Sequence, residues 1–360
     1  MGHSQHYNIK RTQLVQVAEH REDLRANPRL RWLFFEITSR CNLRCRHCGS
    51  DCTAAGQSLS VQDVESTLVS ARPEHPMICL TGGEPLLHPD FFEIAKRIRS
   101  LGFSWGMTTN ATLIDEETAW KLRKAEMSTV SVSLDGLEQS HDLLRGQPGA
   151  WRRAMCGLRS LQQAGFQPQV TTVVHQGNIH ELAPLYALLC DMGISSWRPI
   201  NIEPIGRACE AGNLLLTTEQ FDHLLRFIRA KRFDPECKMR VTFGCSHYLG
   251  TETERMVRDH YFLCGAGILV ASVRSNGDIC ACLDIENRKE LVQGNIRTDD
   301  FLEVWHNRFQ AFRRDRTGDC AMCADCAERV VCGGDSTHTW DFAKNEPLLC
   351  YQMFRTEIES

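Results

Sequence analysis

Short apolar runs alternate with longer amphipathic stretches between residues 31 and 202. Six of these runs are β-like, and they lie at 31–37, 77–80, 103–109, 129–135, 167–174 and 195–202. The stretches between them space apolar residues three and four positions apart, which predicts helices at 61–71, 89–102, 117–126, 150–165 and 178–193. Gly165 and Gly193 are placed where they would end the last two helices.

This succession of strand–helix units predicts a parallel sheet joined by right-handed crossovers. The expected fold class is therefore α/β, a partial (β/α)6 TIM-like barrel followed by a cysteine-rich extension. In such a barrel the chemistry gathers at the C-terminal ends of the strands. The residues that directly follow each strand are the first candidates for a functional site.

The pattern changes after residue 215. A helix predicted at 217–231 leads into segment 268–283, which predicts a hairpin that turns at Asn276-Gly277. A further helical segment follows at 299–313. We therefore predict three parts, which are an N-terminal segment at 1–30, the barrel at 31–235 and a cysteine-rich domain at 236–360.

Charge and hydropathy exclude several classes of protein. The 41 basic and 45 acidic side chains give a net charge of −4, which argues against broad electrostatic capture of nucleic acid. No run of about 18 apolar residues is present, so we expect no membrane span. The chain starts without the apolar segment of a secretion signal, so we expect a cytoplasmic protein.

The cysteines are abundant and clustered. Of the 18 in the chain, four lie within twelve residues and eight lie between residues 264 and 350. In a reducing compartment, clustered thiols indicate metal ligands or redox groups rather than disulfides. Six others stand alone and are expected to be small buried hydrophobes, namely Cys79, Cys156, Cys190, Cys209, Cys237 and Cys245.

The first group has the spacing C-x3-C-x2-C, formed by Cys41, Cys45 and Cys48, directly after the first predicted strand. Three thiolates can hold three irons of a 4Fe–4S cluster and leave the fourth iron open. Zinc is the alternative, since structural zinc takes four closed ligands and either His47 or Cys52 could supply the fourth. The spacing alone leaves both metals open.

The loop resembles the hallmark of the radical S-adenosylmethionine (SAM) superfamily, in which the amino and carboxylate groups of SAM chelate the open iron. Gly82-Gly83-Glu84-Pro85, directly after the second strand, resembles the family's segment that binds the SAM amino group. Adjacent glycines allow a close backbone approach, and a carboxylate can accept from a cationic amine. The resemblance implies that the reduced cluster cleaves SAM to a 5′-deoxyadenosyl radical, which abstracts hydrogen from a substrate.

The resemblance implies further SAM contacts at later strand ends. The matching residues are Thr109 and Asn110 for the ribose side, Ser133 for the sugar and Arg145 for the SAM carboxylate. Gly206-Arg207-Ala208 is also similar to the family but carries little weight alone. Asp135 is expected to form a turn.

The C-terminal cysteines resemble those of the SPASM domain, the auxiliary iron–sulfur extension of radical SAM enzymes. The resemblance implies an outer 4Fe–4S cluster whose ligands are Cys323, Cys326, Cys332 and Cys350. It also implies an inner cluster on Cys264 and Cys282, but Ser336 stands in place of that cluster's last cysteine. We expect Cys320, or else Cys280, to complete the inner cluster. Zinc stays an alternative for this region.

The SPASM resemblance favours a peptide substrate. Most such enzymes mature ribosomal peptides, so the expected reaction is hydrogen abstraction from a precursor residue that leads to crosslinking, epimerisation or oxidation. Modification of tetrapyrrole side chains in haem pathways is an alternative. Protein oxidation of the sulfatase-maturase type is another, although Leu283 separates Cys282 from the acidic residue Asp284. A metal-binding scaffold without enzymatic activity is the last alternative.

The expected partners follow from this reaction. They are the peptide, a reductant such as flavodoxin or ferredoxin, and a separate leader-binding protein, because 30 residues leave no room for a leader-binding domain before the barrel. A thiol that returns hydrogen to the substrate would mark an epimerase. Cys245 is the candidate for that role, but buried inert cysteine is the commoner case, so we expect no donor.

Overall fold

A computed structural model describes residues 2–50, 52, 56–244, 247–285 and 288–350 of the chain, with side chains from residue 12 onwards. The C-terminal ends of the barrel strands and all cysteines except Cys245 fall within these ranges. Cys245, the candidate hydrogen donor, lies outside the described residues.

Twelve strands are present in the part of the chain that the structure describes. They are β1 (Trp32–Thr38), β2 (Met77–Gly82), β3 (Trp105–Thr109), β4 (Thr129–Ser133), β5 (Gln169–Val174), β6 (Ser196–Asn201), β7 (Arg240–Val241), β8 (Val270–Val273), β9 (Asp278–Cys280), β10 (Gly294–Asn295), β11 (Trp340–Asp341) and β12 (Glu346–Pro347). The first ten form one sheet in the order β10-β9-β8-β1-β2-β3-β4-β5-β6-β7, and the last two form a separate pair. Strands β1 to β6 are parallel throughout, which confirms the predicted α/β partial barrel.

Thirteen α-helices accompany the strands within the described ranges. They are α1 (Gly2–Ala26), α2 (Val61–Ala71), α3 (Phe91–Ser100), α4 (Glu116–Lys124), α5 (Glu138–Arg145), α6 (Ala150–Gln163), α7 (Leu182–Asp191), α8 (Thr218–Phe233), α9 (Glu254–Val257), α10 (Phe301–Asn307), α11 (Gln310–Arg313), α12 (Ala321–Ala324) and α13 (Arg329–Cys332). No helix among the described residues is long and apolar enough to cross a membrane.

The predicted strands and helices of the barrel are confirmed to within a few residues at each end. Gly165 and Gly193 follow α6 and α7 with φ of +84° and +70°, as expected for residues that end a helix. Helix α5 was not predicted, and the helix predicted at 299–313 is divided into α10 and α11. The N-terminal segment contains a helix of 25 residues.

Side chains alternate between two environments along the barrel strands. On β5 the outward-facing Val170 and Val174 are fully buried in the core beneath the helices, whereas the inward-facing Thr171 is half-buried. Thr171 accepts hydrogen bonds from Arg198 on β6 at 3.3 Å and lies 2.9 Å from the hydroxyl of Ser131 on β4. The barrel therefore has an apolar outer layer and a polar inner wall.

The C-terminal region continues the barrel sheet. The hairpin predicted at Asn276-Gly277 is present, with Gly277 at φ +90° and Val273 of β8 paired antiparallel to Ile279 of β9. Strand β8 also pairs in parallel with β1, on the side away from β2. The hairpin is therefore hydrogen-bonded directly to the strand that leads into the first cysteine loop.

Candidate functional site

The first cysteine loop lies at the C-terminal end of β1. Cys41, Cys45 and Cys48 pack in one small cluster with Leu43 and Ala150. Burial raises the pKa of the Cys45 thiol, and the neighbouring Cys48 and Cys41 act in the same direction. Three neighbouring thiols can bind three irons of a 4Fe–4S cluster, so these residues fit the cluster that the motif implies.

The end of β2 fixes the beginning of this loop. The amide of Gly83 donates to the Thr38 carbonyl at 2.8 Å, and the amide of Glu84 donates to the Arg40 carbonyl at 2.8 Å. A Cβ atom on Gly83 would lie 2.2 Å from the Arg40 oxygen and 2.8 Å from the Cβ of Cys41. Glycine is therefore required here by the cysteine loop itself, a constraint that the sequence pattern did not reveal.

Two other parts of the chain hold the middle and the end of the loop. A Cβ atom on Gly146, directly after α5, would lie 2.6 Å from the Arg44 carbonyl oxygen. A Cβ atom on Gly206, whose φ is +53°, would lie 2.4 Å from the Cys48 carbonyl oxygen. Arg207 donates from its side chain to the Cys45 carbonyl at 2.8 Å and from its amide to the Cys48 carbonyl at 3.1 Å. The Gly206-Arg207 pair, given little weight in the sequence, therefore supports the cluster loop directly.

Glu84 links two strand ends. Its carboxylate accepts from the Thr109 hydroxyl at 2.7 Å and from the Asn110 amide at 2.9 Å. Burial raises the pKa of Glu84 to about 7, against the lowering effect of these hydrogen bonds. Asn110 in turn donates from its side chain to Asn42 in the cysteine loop at 3.0 Å. These contacts bring Glu84, Thr109 and Asn110 together; their contacts with SAM stay a prediction.

Arg145 and Asp135 form a buried ion pair behind the loop. The Arg145 Nε donates to Asp135 at 2.6 Å, and one terminal nitrogen lies 3.6 Å from the Cys45 sulfur. Although burial opposes both charges, each partner favours the other, so the pKa of Asp135 is lowered and that of Arg145 is raised. Asp135 also accepts from the Val173 amide at 2.9 Å, so it is an ion-pair partner rather than only a turn former.

The remaining predicted contacts lie near this group. Ser133 ends β4, is half-buried and stands opposite Thr171 of β5 in the sheet register. Pro85 is buried and opens the short 3-10 turn Pro85–Leu87 after the glycines. The SAM-binding roles of these two residues also stay predictions.

Five thiols gather in the C-terminal cysteine region. The Cys323 amide donates to the Cys320 carbonyl at 3.0 Å. Burial raises the pKa of the Cys323 thiol, and Cys320, Cys350 and Cys326 lie close enough to act in the same direction. Burial raises the pKa of Cys332, and the neighbouring Asp335 and Cys350 act in the same direction. The outer set predicted from the sequence is thus brought together, and Cys320 lies with it. The role of Cys320 in completing the inner cluster stays a prediction.

The inner thiols have other surroundings. The Cys264 sulfur lies 3.2 Å from the Thr337 hydroxyl and accepts from the Thr337 amide at 3.4 Å. Cys282 is half-buried and lies 3.9 Å from a carboxylate oxygen of Asp284. Cys280 is buried on β9, where burial raises its pKa to about 11 in the field of Arg274 and Glu36.

Ser336 belongs to a buried polar chain. Its hydroxyl accepts from Nδ1 of His338 at 2.7 Å, and Nε2 of His338 donates to Glu203, directly beyond β6, at 2.8 Å. Burial works against the charge on His338, but Glu203 outweighs it and raises the His338 pKa to about 10. Sequence reasoning missed this chain; the only local signal was a histidine two residues after Ser336.

These contacts do not supply a fourth thiolate at the inner site. Among the described residues, the hydroxyl that replaces the cysteine is engaged with an imidazolium, and the nearby thiol Cys320 lies with the outer set. A hydroxyl is a poor iron ligand beside thiolates. The outer set therefore offers the four thiols of a closed 4Fe–4S cluster, whereas the completion of the inner set by Cys320 or Cys280 stays a prediction.

The isolated cysteines differ from the expectation. Cys156 and Cys209 are exposed, and Cys79, Cys190 and Cys237 are half-buried. The prediction that these cysteines are buried is therefore wrong for Cys156 and Cys209. Cys156 lies on the exposed face of α6, and Cys209 lies in the exposed turn after β6.

Two family models match the chain. One, described as the radical SAM superfamily, matches residues 35–189, and the other, described as the iron–sulfur cluster-binding SPASM domain, matches residues 264–327. Together they cover the barrel loop, its supporting strands and most of the C-terminal cysteines.

Several relatives match nearly the whole chain. AdoMet-dependent heme synthase of Oleidesulfovibrio alaskensis is 29% identical, with 91% of this chain and 88% of that protein covered. Fe-coproporphyrin III synthase of Methanosarcina barkeri is 33% identical, with 84% and 82% covered. Mycofactocin maturase MftC of Mycolicibacterium smegmatis is 30% identical, with 84% and 76% covered.

Solved structures share the fold. SuiB of Streptococcus suis bound to S-adenosylmethionine superposes with a TM-score of 0.69 at 19% identity, covering 85% of this chain and 73% of SuiB. Native anSMEcpe with bound AdoMet superposes with a TM-score of 0.70 at 19% identity, covering 91% and 95%. The partial barrel and its cysteine-rich extension are therefore shared with these proteins.

Proposed function

Because this chain belongs to the radical SAM superfamily and carries a SPASM domain, we propose that it abstracts hydrogen from a side chain of a tetrapyrrole substrate. Its cofactors are SAM and 4Fe–4S clusters, which when bound supply a 5′-deoxyadenosyl radical. The observation that best supports radical chemistry is that Cys41, Cys45 and Cys48 pack together in one loop. Close backbone contacts from Gly83, Gly146 and Gly206 hold that loop in place.

The chain's own residues contribute position and charge. Cys41, Cys45 and Cys48 would hold the cluster, and the Gly82–Pro85 segment would present its backbone to SAM. Arg145 is buried beside Cys45 and would offset the negative charge of a thiolate-bound cluster. The polar inner wall of the barrel would receive the substrate.

Two observations support a tetrapyrrole substrate. The relatives named heme synthase and Fe-coproporphyrin III synthase match this chain over most of both lengths. Arg198 places a positive charge on the inner wall, held against Thr171. A cation at this position would attract the carboxylates of tetrapyrrole side chains. We therefore prefer a tetrapyrrole substrate to a peptide, whereas the sequence alone favoured a peptide.

A peptide is the second candidate substrate. It is favoured by the similarity to the maturase MftC, which is 30% identical over 311 residues. The expected partners of this chain would then be a precursor peptide, a leader-binding protein and a reductant such as flavodoxin or ferredoxin.

The test is a comparison of substrates under anaerobic conditions. The reconstituted chain is incubated with SAM, dithionite and iron-coproporphyrin III, and products are identified by mass spectrometry. We expect 5′-deoxyadenosine together with a porphyrin in which a propionate has lost CO2 and two hydrogens. One hydrogen atom would go to the deoxyadenosyl radical, and the remaining proton and electron would go to solvent and to an oxidised 4Fe–4S cluster. Cys45→Ala is the control and should give neither product.

The outcomes separate the two candidates. If 5′-deoxyadenosine forms but the porphyrin is unchanged, the tetrapyrrole proposal fails while the radical chemistry stands. A peptide encoded beside the gene that changes mass in the same assay would then establish the second candidate.

A further inference from the structure

Helix α1 packs against the C-terminal cysteine region, which is far from it in sequence. Leu14 of this helix is buried in one apolar cluster with Val331, and Cys264 and Cys332 pack against the same cluster. The helix therefore contacts the segment that carries Cys332, which the family resemblance implies as a ligand of the outer cluster.

Arginines of α1 hold the backbone on both sides of Cys332. Arg21 donates to the two carbonyls before this cysteine, at 2.6 and 3.0 Å, and Arg25 donates to the carbonyl directly after it, at 3.1 Å. Carbonyls at the end of a helix such as α13 have no partner within the helix, so these guanidinium groups supply the missing donors. A Cβ atom on Gly333 would lie 2.0 Å from the Cζ atom of Arg21, so glycine is required for this contact.

A third arginine, Arg316, reaches the backbone that follows. One terminal nitrogen donates to the Gly334 carbonyl at 3.3 Å and to the Asp335 carbonyl at 3.4 Å. The other, Nη1, is buried without a hydrogen-bond partner among the described residues, and only 5% of Arg316 is exposed. A buried donor without an acceptor is costly, whereas the sulfur atoms of an iron–sulfur cluster accept hydrogen bonds. The unpartnered nitrogen therefore fits a cluster bound at Cys332.

The three arginines and Cys332 line one cavity. Asp335 is the only carboxylate among the described residues that line it, so cations outnumber anions there by three to one. Glu22 pairs with the two arginines of α1, but its side chain is 57% exposed and its charge is screened by water. Net positive charge stabilises the reduced, more negative form of a cluster and raises its reduction potential.

We infer that Arg21, Arg25 and Arg316 are positioning residues of the outer cluster, which hold Cys332 in place and raise the reduction potential of the cluster that it binds. A cluster of higher potential more readily accepts the electron that the proposed oxidation releases. That use of the cluster rests on the proposed function, whereas the potential itself is measured without any substrate.

The test uses the full chain with Cys45→Ala, which removes the barrel cluster so that the auxiliary signal remains. In this parent, Arg21→Gln removes a charge and two hydrogen bonds, whereas Arg21→Lys keeps the charge but lacks the planar fork that reaches two carbonyls. Arg314→Gln is the control, because Arg314 is exposed in the groove between α1 and α11 that Arg25 also lines.

A redox titration followed by EPR measures the charge effect. We expect a more negative potential in Arg21→Gln, with a several-fold lower ratio of reduced to oxidised cluster at any fixed potential. Arg21→Lys and Arg314→Gln should stay near the parent. Equal potentials in Arg21→Gln and Arg21→Lys would overturn the inference, because a purely structural role would not separate them.

Iron release to a chelator measures the positioning effect. Substitution of residues that support metal ligands weakens metal binding by about 10–100-fold, so both Arg21 variants should lose iron several-fold faster than the parent and Arg314→Gln. Equal rates in all four proteins would contradict a positioning role.

Arg25→Gln decides the question if the Arg21 variants do not assemble a cluster. It removes one charge and the single hydrogen bond to the Gly333 carbonyl, so it should shift the potential in the same negative direction. An unchanged potential would overturn the inference. Such a result would leave the proposed tetrapyrrole substrate untouched, because that proposal is tested with the barrel cluster intact.

Discussion

The barrel loop holds its thiols with contacts from three distant parts of the chain, whereas in the inner auxiliary region the Cys264 sulfur contacts the hydroxyl and the amide of Thr337. In the barrel, glycines at 83, 146 and 206 let the backbone approach the loop closely. In the auxiliary region Thr337 contacts Cys264, and the adjacent Ser336 binds His338. The first arrangement keeps three thiols together, and the second has a hydroxyl where the family pattern has a thiol.

Both regions also place a cation near a thiol, but with different chemistry. Arg145 beside Cys45 keeps its charge at every pH at which a protein folds. The charge on His338 depends on Glu203, and its pKa of about 10 lies within an accessible range. We therefore expect the charge on Arg145 to be insensitive to pH and the charge on His338 to respond to it.

The largest expected effect is at Cys45. Cys45→Ala should abolish reductive cleavage of SAM and remove about 4 irons per chain, because two thiolates cannot hold the cluster. Cys264→Ala is the matched variant in the other region and should keep its iron, because the described inner residues do not form a complete ligand set. Full SAM cleavage by Cys45→Ala would contradict the assignment of the barrel site.

The next largest effect is expected at the buried ion pair. Arg145→Ala leaves Asp135 charged and buried without its partner, which should destabilise the fold by about 3–5 kcal/mol. Arg152→Ala is the control: its bond to Glu138 is exposed and is worth about 0–1 kcal/mol. The shift of the anaerobic urea unfolding midpoint measures both. Equal shifts would mean that the barrel pair is no more important than a surface pair.

The barrel could be predicted from the sequence because each of its strands and helices shows its apolar repeat within a short segment of the chain. Strand β1 and helix α2 each show their apolar pattern within a dozen residues, and their observed bounds agree with the prediction. Helix α5 was missed because Leu144 is its one buried aliphatic side chain, too little to reveal a helical period. The missed helix carries Arg145, a residue that only the family resemblance identified.

The contacts that define the two sites are not local and could not be predicted in this way. The cysteine spacing together with the family resemblance predicted the barrel ligands, and the resemblance also placed Ser336 where the auxiliary pattern has a cysteine. It could not show that Glu203 reaches His338, because these residues are far apart in sequence and meet only when β6 is docked against the C-terminal region. Nor could it show that Gly206 approaches Cys48.

A smaller effect is expected from pH. His338 has a folded pKa raised from its usual 6.5 to about 10, so the stabilisation from its pair with Glu203 is complete below about pH 6.5 and is lost as the pH rises towards 10. The anaerobic melting temperature of wild type should therefore fall more steeply between pH 7 and pH 10 than that of His338→Gln, which can keep a neutral hydrogen bond. Parallel pH profiles of the two proteins would show that the pair makes no such contribution.

The smallest effect is expected at Cys320, where the absence of a change is informative. The outer region contains five thiols for the four positions of one cluster, and within that group the Cys323 amide donates to the Cys320 carbonyl at 3.0 Å. With a barrel cluster and an outer cluster, wild type should contain about 8 irons per chain, against about 12 if an inner cluster is complete. Cys320→Ala should keep the wild-type count because a four-thiolate set remains, whereas Cys323→Ala, which removes a motif ligand, should lower it. A wild-type count of about 12 that falls to about 8 in Cys320→Ala would instead show that Cys320 completes the inner cluster, as the sequence suggested, and that the two cysteine regions differ less than their hydrogen bonds indicate.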